Sequence, residues 1–268
     1  MRQGSVILVT GGSSGIGAAV VERLAGAGMH VWAASRSGRV PGSGARSLNM
    51  DVTSEDSIRA ALERLLAEEG RLDAVVVNAG NGIAGALEET SAVEAKYQFE
   101  TNYFGAINTI NACLPALKAS RGRIVAITSV AAIVPLPYQG MYSASKAALQ
   151  SAMKTYAMEL RPFGVQCSTV LPGDTSTGFT AARKLTEAAT SPSSPYRERF
   201  ARCRATFERD ETTGMSPDVI ARAVQRQLGR RRMRTTVIPG ASYKAVGVLV
   251  RLVPDRVLLK VLSMIYNK

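Results

Sequence analysis

Residues 5–17, with the sequence SVILVTGGSSGIG, decide the fold of this chain. Ser5 to Thr10 is a short apolar and β-branched run, which predicts a buried strand. Glycines follow at once, and a helical pattern begins at Gly15. Gly11 allows a tight turn after the strand, while Gly15 and Gly17 let the backbone approach a ligand closely. A strand, a glycine-rich turn and a helix in this order are typical of a pyrophosphate site at a helix N-terminus.

Strand and helix signals alternate along the rest of the chain, as a parallel sheet covered by helices requires. The later predicted strands are 30–34, 47–50, 74–78, 124–128, 165–171 and 235–238. The predicted helices are 15–26, 54–69, 92–117 and 142–160. The 268 residues, 46% of them hydrophobic, suit one such domain. We therefore predict a single α/β domain over residues 1–268, a Rossmann-type doubly wound parallel sheet of about seven strands with helices on both faces.

Composition narrows the classes of function. His30 is the only histidine and cannot by itself build a histidine metal site or a Ser-His-Asp triad, so no metal is expected. Three widely spaced cysteines and an early apolar run that breaks into glycines predict a cytoplasmic protein. The net charge of +12 raises nucleic acid, an acidic membrane surface or an anionic substrate as partners. The densest basic run, 230–234, lacks interleaved aromatic residues, so nucleic acid is not expected.

Tyr142 and Lys146 form a candidate acid–base pair. They stand at positions i and i+4 of one predicted helix and therefore share a face, where the ammonium can lower the pKa of the phenol. An isolated tyrosine has a pKa near 10, too high for efficient proton exchange at neutral pH. Ser129 follows a predicted strand, at the sheet edge where open α/β sheets bind ligands. Asn102 is the most notable polar residue of the preceding predicted helix.

Together these features resemble the short-chain dehydrogenase/reductase family. The match follows the family's order over nearly the whole chain: TGxxxGxG at 10–17, DV at 51–52, NAG at 78–80, Asn102, Ser129, YxxxK at 142–146 and PG at 172–173. The resemblance implies reversible hydride transfer between a nicotinamide cofactor and a carbinol or carbonyl carbon. It also implies that Tyr142 exchanges the proton, Ser129 holds the oxygen, Lys146 also binds the nicotinamide ribose, and Asn102 anchors a water that passes protons onward from Lys146.

The residues after the second predicted strand predict the cofactor. An NAD site places an acidic residue there for the ribose 2′-hydroxyl, whereas the 2′-phosphate of NADP needs a cation. This chain has Ser35 and Arg36 at that point, so we predict NADP(H). The remaining predicted cofactor contacts, several of them implied by the resemblance, are Gly11, Ser13, Ser14, Gly15, Ile16, Gly17, Asp51, Val52, Asn78, Ala79, Gly80, Tyr142, Lys146, Pro172, Gly173, Thr175 and Thr177.

The predicted substrate wall is mainly apolar, with no cation to hold a carboxylate or an acyl-carrier phosphate. Its candidates are Ser129, Val134, Pro135, Met141, Tyr142 and Phe179. A lipophilic alcohol or ketone is favoured, and short runs at 78–82, 161–165 and 177–179 resemble the 17β-hydroxysteroid and retinol dehydrogenase branch, which points to a hydroxysteroid. One alternative is a general NADPH ketoreductase, including one for 3-oxoacyl thioesters. Another is a non-catalytic dinucleotide sensor, which would have no need of Tyr142 or Ser129.

Two segments lie outside the core pattern. Residues 174–217 are a long insertion at a strand's carboxyl end and are predicted to form a substrate lid. Residues 243–268 include a basic amphipathic helix, which can lie on a membrane surface or pack against the lid or a sister subunit. Its apolar face holds Val257, Leu258, Val261, Leu262 and Ile265. The apolar faces of the helices that carry Asn102 and Tyr142 predict a homodimer or homotetramer.

Overall fold

The computed structural model describes residues 1–40, 42 and 44–266. Its strands are β1 (Val6–Thr10), β2 (His30–Ser35), β3 (Ala45–Asn49), β4 (Ala74–Val77), β5 (Ile83–Ala84), β6 (Arg123–Ile127), β7 (Gln166–Val170), β8 (Lys184–Leu185) and β9 (Thr236–Val237). Seven of them form one parallel sheet in the order β3-β2-β1-β4-β6-β7-β9. The central strands are almost entirely buried, which explains why their sequences are continuous apolar runs.

Helices cover both faces of this sheet. They are α1 (Gly15–Ala25), α2 (Glu55–Glu69), α3 (Ala92–Phe99), α4 (Gly105–Ser120), α5 (Gly140–Glu159), α6 (Phe179–Ala182), α7 (Arg197–Thr212), α8 (Pro217–Gly229), α9 (Ala241–Leu252) and α10 (Asp255–Tyr266). Apolar residues of α2, α4 and α5 pack on one face of the sheet, and those of α1 and α8 pack on the other. The predicted doubly wound, single-domain fold is confirmed.

The strand order reverses between β1 and β4, and this reversal opens the crevice where doubly wound sheets bind their ligands. Hydrogen bonds join the loop after β1 to the loop after β4 at this point. Thr10 Oγ1 accepts from the backbone amides of Asn78 and Ala79, both at 3.0 Å. Asn78 Nδ2 donates to the carbonyl oxygens of Thr10 at 3.1 Å and Gly11 at 3.2 Å. The glycine-rich turn and the NAG run therefore form one wall.

The helix predicted over 92–117 is not continuous. A π-helical turn, Glu100–Phe104, separates α3 from α4, and α4 continues to Ser120. Asn102 lies in this turn with its amide bonded to the loop after β4. Such turns insert one extra residue into a helix and are frequent at functional sites. Periodicity alone did not reveal the interruption, because the residues on both sides keep a helical pattern.

Strand pairings organise residues 174–217. Strand β8 pairs in parallel with β5, which follows β4. Thr175 forms a parallel bridge with Met215, so the two ends of the segment lie together. Between them are α6, a 3₁₀ turn (Glu187–Thr190) and α7. Within the described residues, no helix is both long and apolar enough to cross a bilayer.

Candidate active site

A cavity of about 950 Å³ extends along the carboxyl ends of the strands, from the glycine-rich turn to α10. Among the predicted cofactor residues, only Gly17 does not line it. The residues that do are Gly11, Ser13, Ser14, Gly15, Ile16, Ser35, Arg36, Asp51, Val52, Asn78, Ala79, Gly80, Tyr142, Lys146, Pro172, Gly173, Thr175 and Thr177. Gly17 lies behind the turn instead, where a Cβ atom would stand 2.0 Å from the Gly11 carbonyl oxygen.

The turn after β1 has the shape that a dinucleotide diphosphate needs. Gly11 and Gly15 have φ angles of +63° and +54°, which residues with a side chain rarely adopt. A Cβ atom on Gly11 would also lie 2.9 Å from the Ala79 Cα atom. Ser14 precedes α1 and makes no side-chain capping bond, so its hydroxyl leaves the first helical amides to a ligand. The cradle therefore fits an anion at the positive end of α1.

Arg36 stands at the rim of this cavity, directly after β2. Its guanidinium is exposed, and the Ser35 and Ser37 hydroxyls beside it are 3.3 Å apart. The pKa of Asp51 is lowered, first by the hydrogen bond from the Thr53 amide and also by the charge of Arg36. Strand β2 ends without an acidic side chain. A cation and hydroxyls thus occupy the position that a ribose 2′-substituent would face.

Tyr142 and Ser129 both line the cavity. Burial raises the pKa of Tyr142 to about 12, while a hydrogen bond with Ser129 and the charge of Arg183 lower it in part. Lys146 Nζ lies 5.8 Å from the centre of the Tyr142 ring and donates to the Ile127 carbonyl oxygen at 3.2 Å. Burial also lowers the pKa of Lys146, to about 8. The expected lowering of the Tyr142 pKa is therefore not observed. The loss of water around the phenol raises the pKa by more than Ser129 and Arg183 lower it.

Asn102 is buried beside this group and does not line the cavity. Its Oδ1 atom accepts from the Asn81 amide at 2.8 Å, and its Nδ2 atom donates to the Asn81 carbonyl and to Ser145 Oγ, both at 3.1 Å. A Cβ atom on Gly80 would stand 3.1 Å from Asn102 Oδ1 and 3.3 Å from Lys146 Nζ. The absence of a side chain at Gly80 thus leaves room for both groups.

The substrate wall is only partly as the sequence predicts. Ser129, Val134, Tyr142 and Phe179 line the cavity, and the rings of Tyr142 and Phe179 are 5.7 Å apart. Pro135 and Met141 do not line it. Pro135 is exposed, and Met141 is the neighbour of Tyr142 on α5 and so faces another direction. Leu136, from the same predicted stretch as Val134, also lines the cavity. Apolar residues that the prediction did not place in the wall complete it, namely Val130, Val246, Leu262 and Ile265.

Charged residues of the 174–217 segment also surround the substrate end. Asp174 and Glu211 line the cavity, and Arg183 lies behind Phe179 with its guanidinium 5.5 Å from that ring. Burial raises the pKa of Asp174, although a hydrogen bond from the Tyr243 hydroxyl lowers it. These groups were missed because their partners are distant in sequence. Only the four-residue spacing of Phe179 and Arg183 could have indicated a shared helical face.

Comparison with known proteins agrees with this geometry. The model of the family described as short chain dehydrogenase matches residues 5–188. A 3-ketodihydrosphingosine reductase of Bacteroides thetaiotaomicron is 38% identical over 240 residues, which cover 88% of this chain and 89% of that protein. The human 17-beta-hydroxysteroid dehydrogenase type 1 is 33% identical over 192 residues, which cover 65% of this chain and 58% of that protein.

Solved structures extend the agreement to the whole fold. A short-chain dehydrogenase/reductase of Burkholderia phymatum in complex with NAD is 26% identical with a TM-score of 0.81, and the match covers 96% of this chain and 95% of that one. A short-chain dehydrogenase of Burkholderia cenocepacia in complex with NADP is 26% identical with a TM-score of 0.75, covering 97% of both. The chain therefore belongs to the short-chain dehydrogenase family, whose members are oxidoreductases that interconvert alcohols and ketones with NAD or NADP.

Proposed function

We propose that this protein uses NADP(H) to interconvert a secondary alcohol and a ketone on a lipophilic substrate. One arrangement carries the proposal. Tyr142 and Ser129 stand at one end of the cavity among apolar side chains, and Arg36 stands at the rim by the glycine-rich turn. An extended dinucleotide would join these two parts of the cavity, because the reacting carbon must meet the nicotinamide while the 2′-phosphate stays beside Arg36.

The protonation state of Tyr142 suits the donation of a proton to a ketone. A bound nicotinamide supplies the hydride. With a pKa of about 12, Tyr142 keeps its proton at neutral pH and can donate it to a carbonyl oxygen. The Ser129 hydroxyl holds that oxygen by a hydrogen bond. Lys146 would hold the nicotinamide ribose and pass a proton inward to Tyr142 after each reduction. Asn102 holds the loop after β4 beside the Lys146 ammonium.

The first candidate substrate is a long-chain amino ketone of the 3-ketodihydrosphingosine type. The relative of that name supports it, since the similarity covers almost the whole of both proteins. The cavity walls suit a hydrocarbon chain, and the Asp174 carboxylate offers an anion close enough to Tyr142 to raise its pKa. An ammonium group beside the ketone would find its partner there.

A hydroxysteroid is the second candidate. The similarity to the human hydroxysteroid dehydrogenase and the apolar wall around Phe179 support it. A neutral steroid has no cation to pair with the Asp174 carboxylate. Only the amino ketone is therefore expected to depend on the charge of Asp174. A cytoplasmic location and a homodimer or homotetramer stay predictions, as does the role of residues 174–217 as a substrate lid.

The oxidation of NADPH over a panel of ketones tests the proposal. We expect 3-ketodihydrosphingosine to be reduced faster than its N-acetylated analogue, which lacks the cation but keeps the chain. Asp174→Asn should reduce this preference, while Glu187→Gln, in the same segment but outside the cavity, should retain it. Equal rates with both analogues and a faster rate with steroids would favour the second candidate. Binding of NADPH without turnover of any ketone, steroid or acyl thioester would contradict the proposal and indicate a sensor.

A further inference from the structure

Exposed apolar side chains are concentrated on the last two helices. In the described part of the chain, eight of the fourteen large hydrophobic residues that are exposed lie between 248 and 265. They are Val248, Leu249, Leu252, Val257, Leu259, Val261, Met264 and Ile265. Single exposed apolar residues are ordinary, but eight of them between 248 and 265 mark a candidate interaction surface.

Each of the two helices has an inner and an outer face. On α9, Val246 and Val250 pack inward, and on α10 Leu258 and Leu262 do so, in one cluster with Val130. The opposite stripes remain open to solvent. On α9 the outer stripe is Val248, Leu249 and Leu252, and on α10 it is Val257, Val261, Met264 and Ile265. We call these two stripes together the outer face.

Cations border the outer face on both helices. Lys244 and Arg251 are four residues before and three residues after Val248, so they flank it on the helix surface. Lys260 is three residues after Val257 and four residues before Met264, so it lies beside both on the surface of α10. Arg256 lies one helical turn before Lys260. Asp255 is the only acidic residue between 241 and 266. Among the described residues, none of these four cations takes part in a salt bridge.

We propose that the outer face lies on the surface of an anionic lipid bilayer. An apolar stripe bordered by lysine and arginine is the pattern of a helix that lies in the plane of the interface, where the stripe enters the acyl region and the cations meet headgroup phosphates. A net charge of +12 adds long-range attraction to such a surface. The sequence alone left a membrane, the lid and a sister subunit open for this segment. In the structure the inner face packs on the core, and the side chains of the outer face are exposed on the single chain.

The position of the cavity favours lipid over a second copy of the chain. Val246, Leu262 and Ile265 of the same two helices line the cavity. Ile265 is also 48% exposed, so the cavity wall and the outer face meet at this residue. A lipophilic ketone dissolved in a bilayer would reach the cavity past Ile265 without crossing water. This path for the substrate rests on the proposed function, whereas the docking on lipid does not.

Flotation with vesicles tests the docking. We expect the full chain to float with vesicles of phosphatidylcholine and phosphatidylglycerol, and much less with phosphatidylcholine alone. Leu252→Gln combined with Val261→Gln should weaken binding by about tenfold or more, because each removes an apolar side chain from the interface. Val93→Gln is the matched control, since Val93 is 77% exposed and Leu252 is 76% exposed, but Val93 lies on α3.

A second pair of variants isolates the charges. Lys244→Gln with Lys260→Gln should weaken binding to anionic vesicles by about tenfold or more. Arg230→Gln with Arg232→Gln removes the same charge from the basic run at 230–234 and should have a smaller effect. Equal losses from both pairs would show that net charge alone drives binding and would overturn the proposal.

Two further outcomes would overturn it. The first is a full chain that does not float with anionic vesicles. The second is an oligomer that becomes a smaller species in light scattering when Leu252→Gln and Val261→Gln are combined, while vesicle binding stays unchanged. That result would assign the outer face to contact with a second copy of the chain. All these variants should keep normal turnover of a short water-soluble ketone, because none of the residues lines the cavity. If the unaltered chain did not turn over such a ketone, that result would contradict the proposed function. It would leave the docking on lipid untouched.

Discussion

Arg183, the residue after α6, and Glu211 of α7 form a buried ion pair beside the substrate end of the cavity. Their side chains are 2% and 13% exposed. Glu211 also accepts a hydrogen bond from Thr180 Oγ1 at 2.6 Å. The guanidinium lies 5.5 Å from the Phe179 ring and 4.6 Å from the Phe207 ring. Since Phe179 contacts Tyr142, the pair holds the 174–217 segment against the reactive tyrosine.

The first prediction concerns the stability that depends on this pair. Glu211→Gln leaves the guanidinium buried without its anion, which typically costs about 3–5 kcal/mol. We expect a lower free energy of unfolding in urea and recovery of much of the loss in the double variant Arg183→Met with Glu211→Gln. Asp56→Asn, which removes the exposed partner of Arg59, should have little effect. Equal effects of Glu211→Gln and Asp56→Asn would contradict the buried role of the pair.

The second prediction concerns Tyr142 as the proton donor. Tyr142→Phe removes the hydroxyl and keeps the ring, so kcat should fall by about 10²–10⁴-fold while NADPH affinity stays unchanged. Tyr156→Phe is the control on the same helix, because the Tyr156 hydroxyl bonds Asn111 at an exposed site. Near-normal turnover of a confirmed substrate by Tyr142→Phe would exclude this role.

The third prediction links Lys146 to pH. Its pKa falls from 10.5 to about 8 on burial, so between these values the unfolded chain binds more protons and stability rises with pH. At pH 7 the buried ammonium costs on the order of 3 kcal/mol. Lys146→Met should therefore unfold at higher urea concentration than the unaltered protein at pH 7 and lose this advantage above pH 10.5. Lys154→Met, on the exposed side of α5, should show no such trend. The absence of a pH trend in Lys146→Met would refute the assigned burial cost.

Lys146→Met should also weaken NADPH binding and lower kcat together, since the same ammonium is assigned to the ribose and to the proton path. In this respect it should differ from Tyr142→Phe. Fluorescence titration with NADPH separates the two variants.

The fourth prediction concerns the choice of cofactor. A charge-assisted contact between Arg36 and the 2′-phosphate is worth roughly 1.5–3 kcal/mol, so NADPH should bind about tenfold or more tightly than NADH. Arg36→Asp should reverse this preference. Arg39→Asp introduces the same change three residues later, outside the cavity wall, and should keep it. Equal affinities for both cofactors in the unaltered protein would refute the NADP(H) assignment.

The fifth prediction concerns oligomerisation through the helices near Asn102 and Tyr142. Phe104 is 47% exposed beside α4, and Met158 is 68% exposed at the end of α5. Phe104→Glu with Met158→Glu should dissociate a dimer or tetramer in light scattering, because buried charges oppose association. A monomer at micromolar concentration of the unaltered chain would contradict the prediction.

The order of the elements and the dinucleotide cradle could be predicted from sequence because local rules govern them. The strand before Gly11, the positive φ angles of Gly11 and Gly15, and the i, i+4 placement of Tyr142 and Lys146 all depend on residues close in the chain. The π turn at Asn102 could not be predicted, since its stabilising bonds go to Asn81, 21 residues earlier.

By itself, the sequence determined the doubly wound fold and the residues that meet at the sheet's carboxyl edge, because strand and helix periodicity and glycine conformations are local properties. Only the tertiary structure decided the pKa of Tyr142 and which side chains form the substrate wall. The pKa of Tyr142 depends on its burial, to which Phe179 of α6 contributes a ring contact, and the wall takes Leu262 from α10 in place of Pro135. Burial and charge pairing, as between Arg183 and Glu211, arise only when segments far apart in the chain pack together.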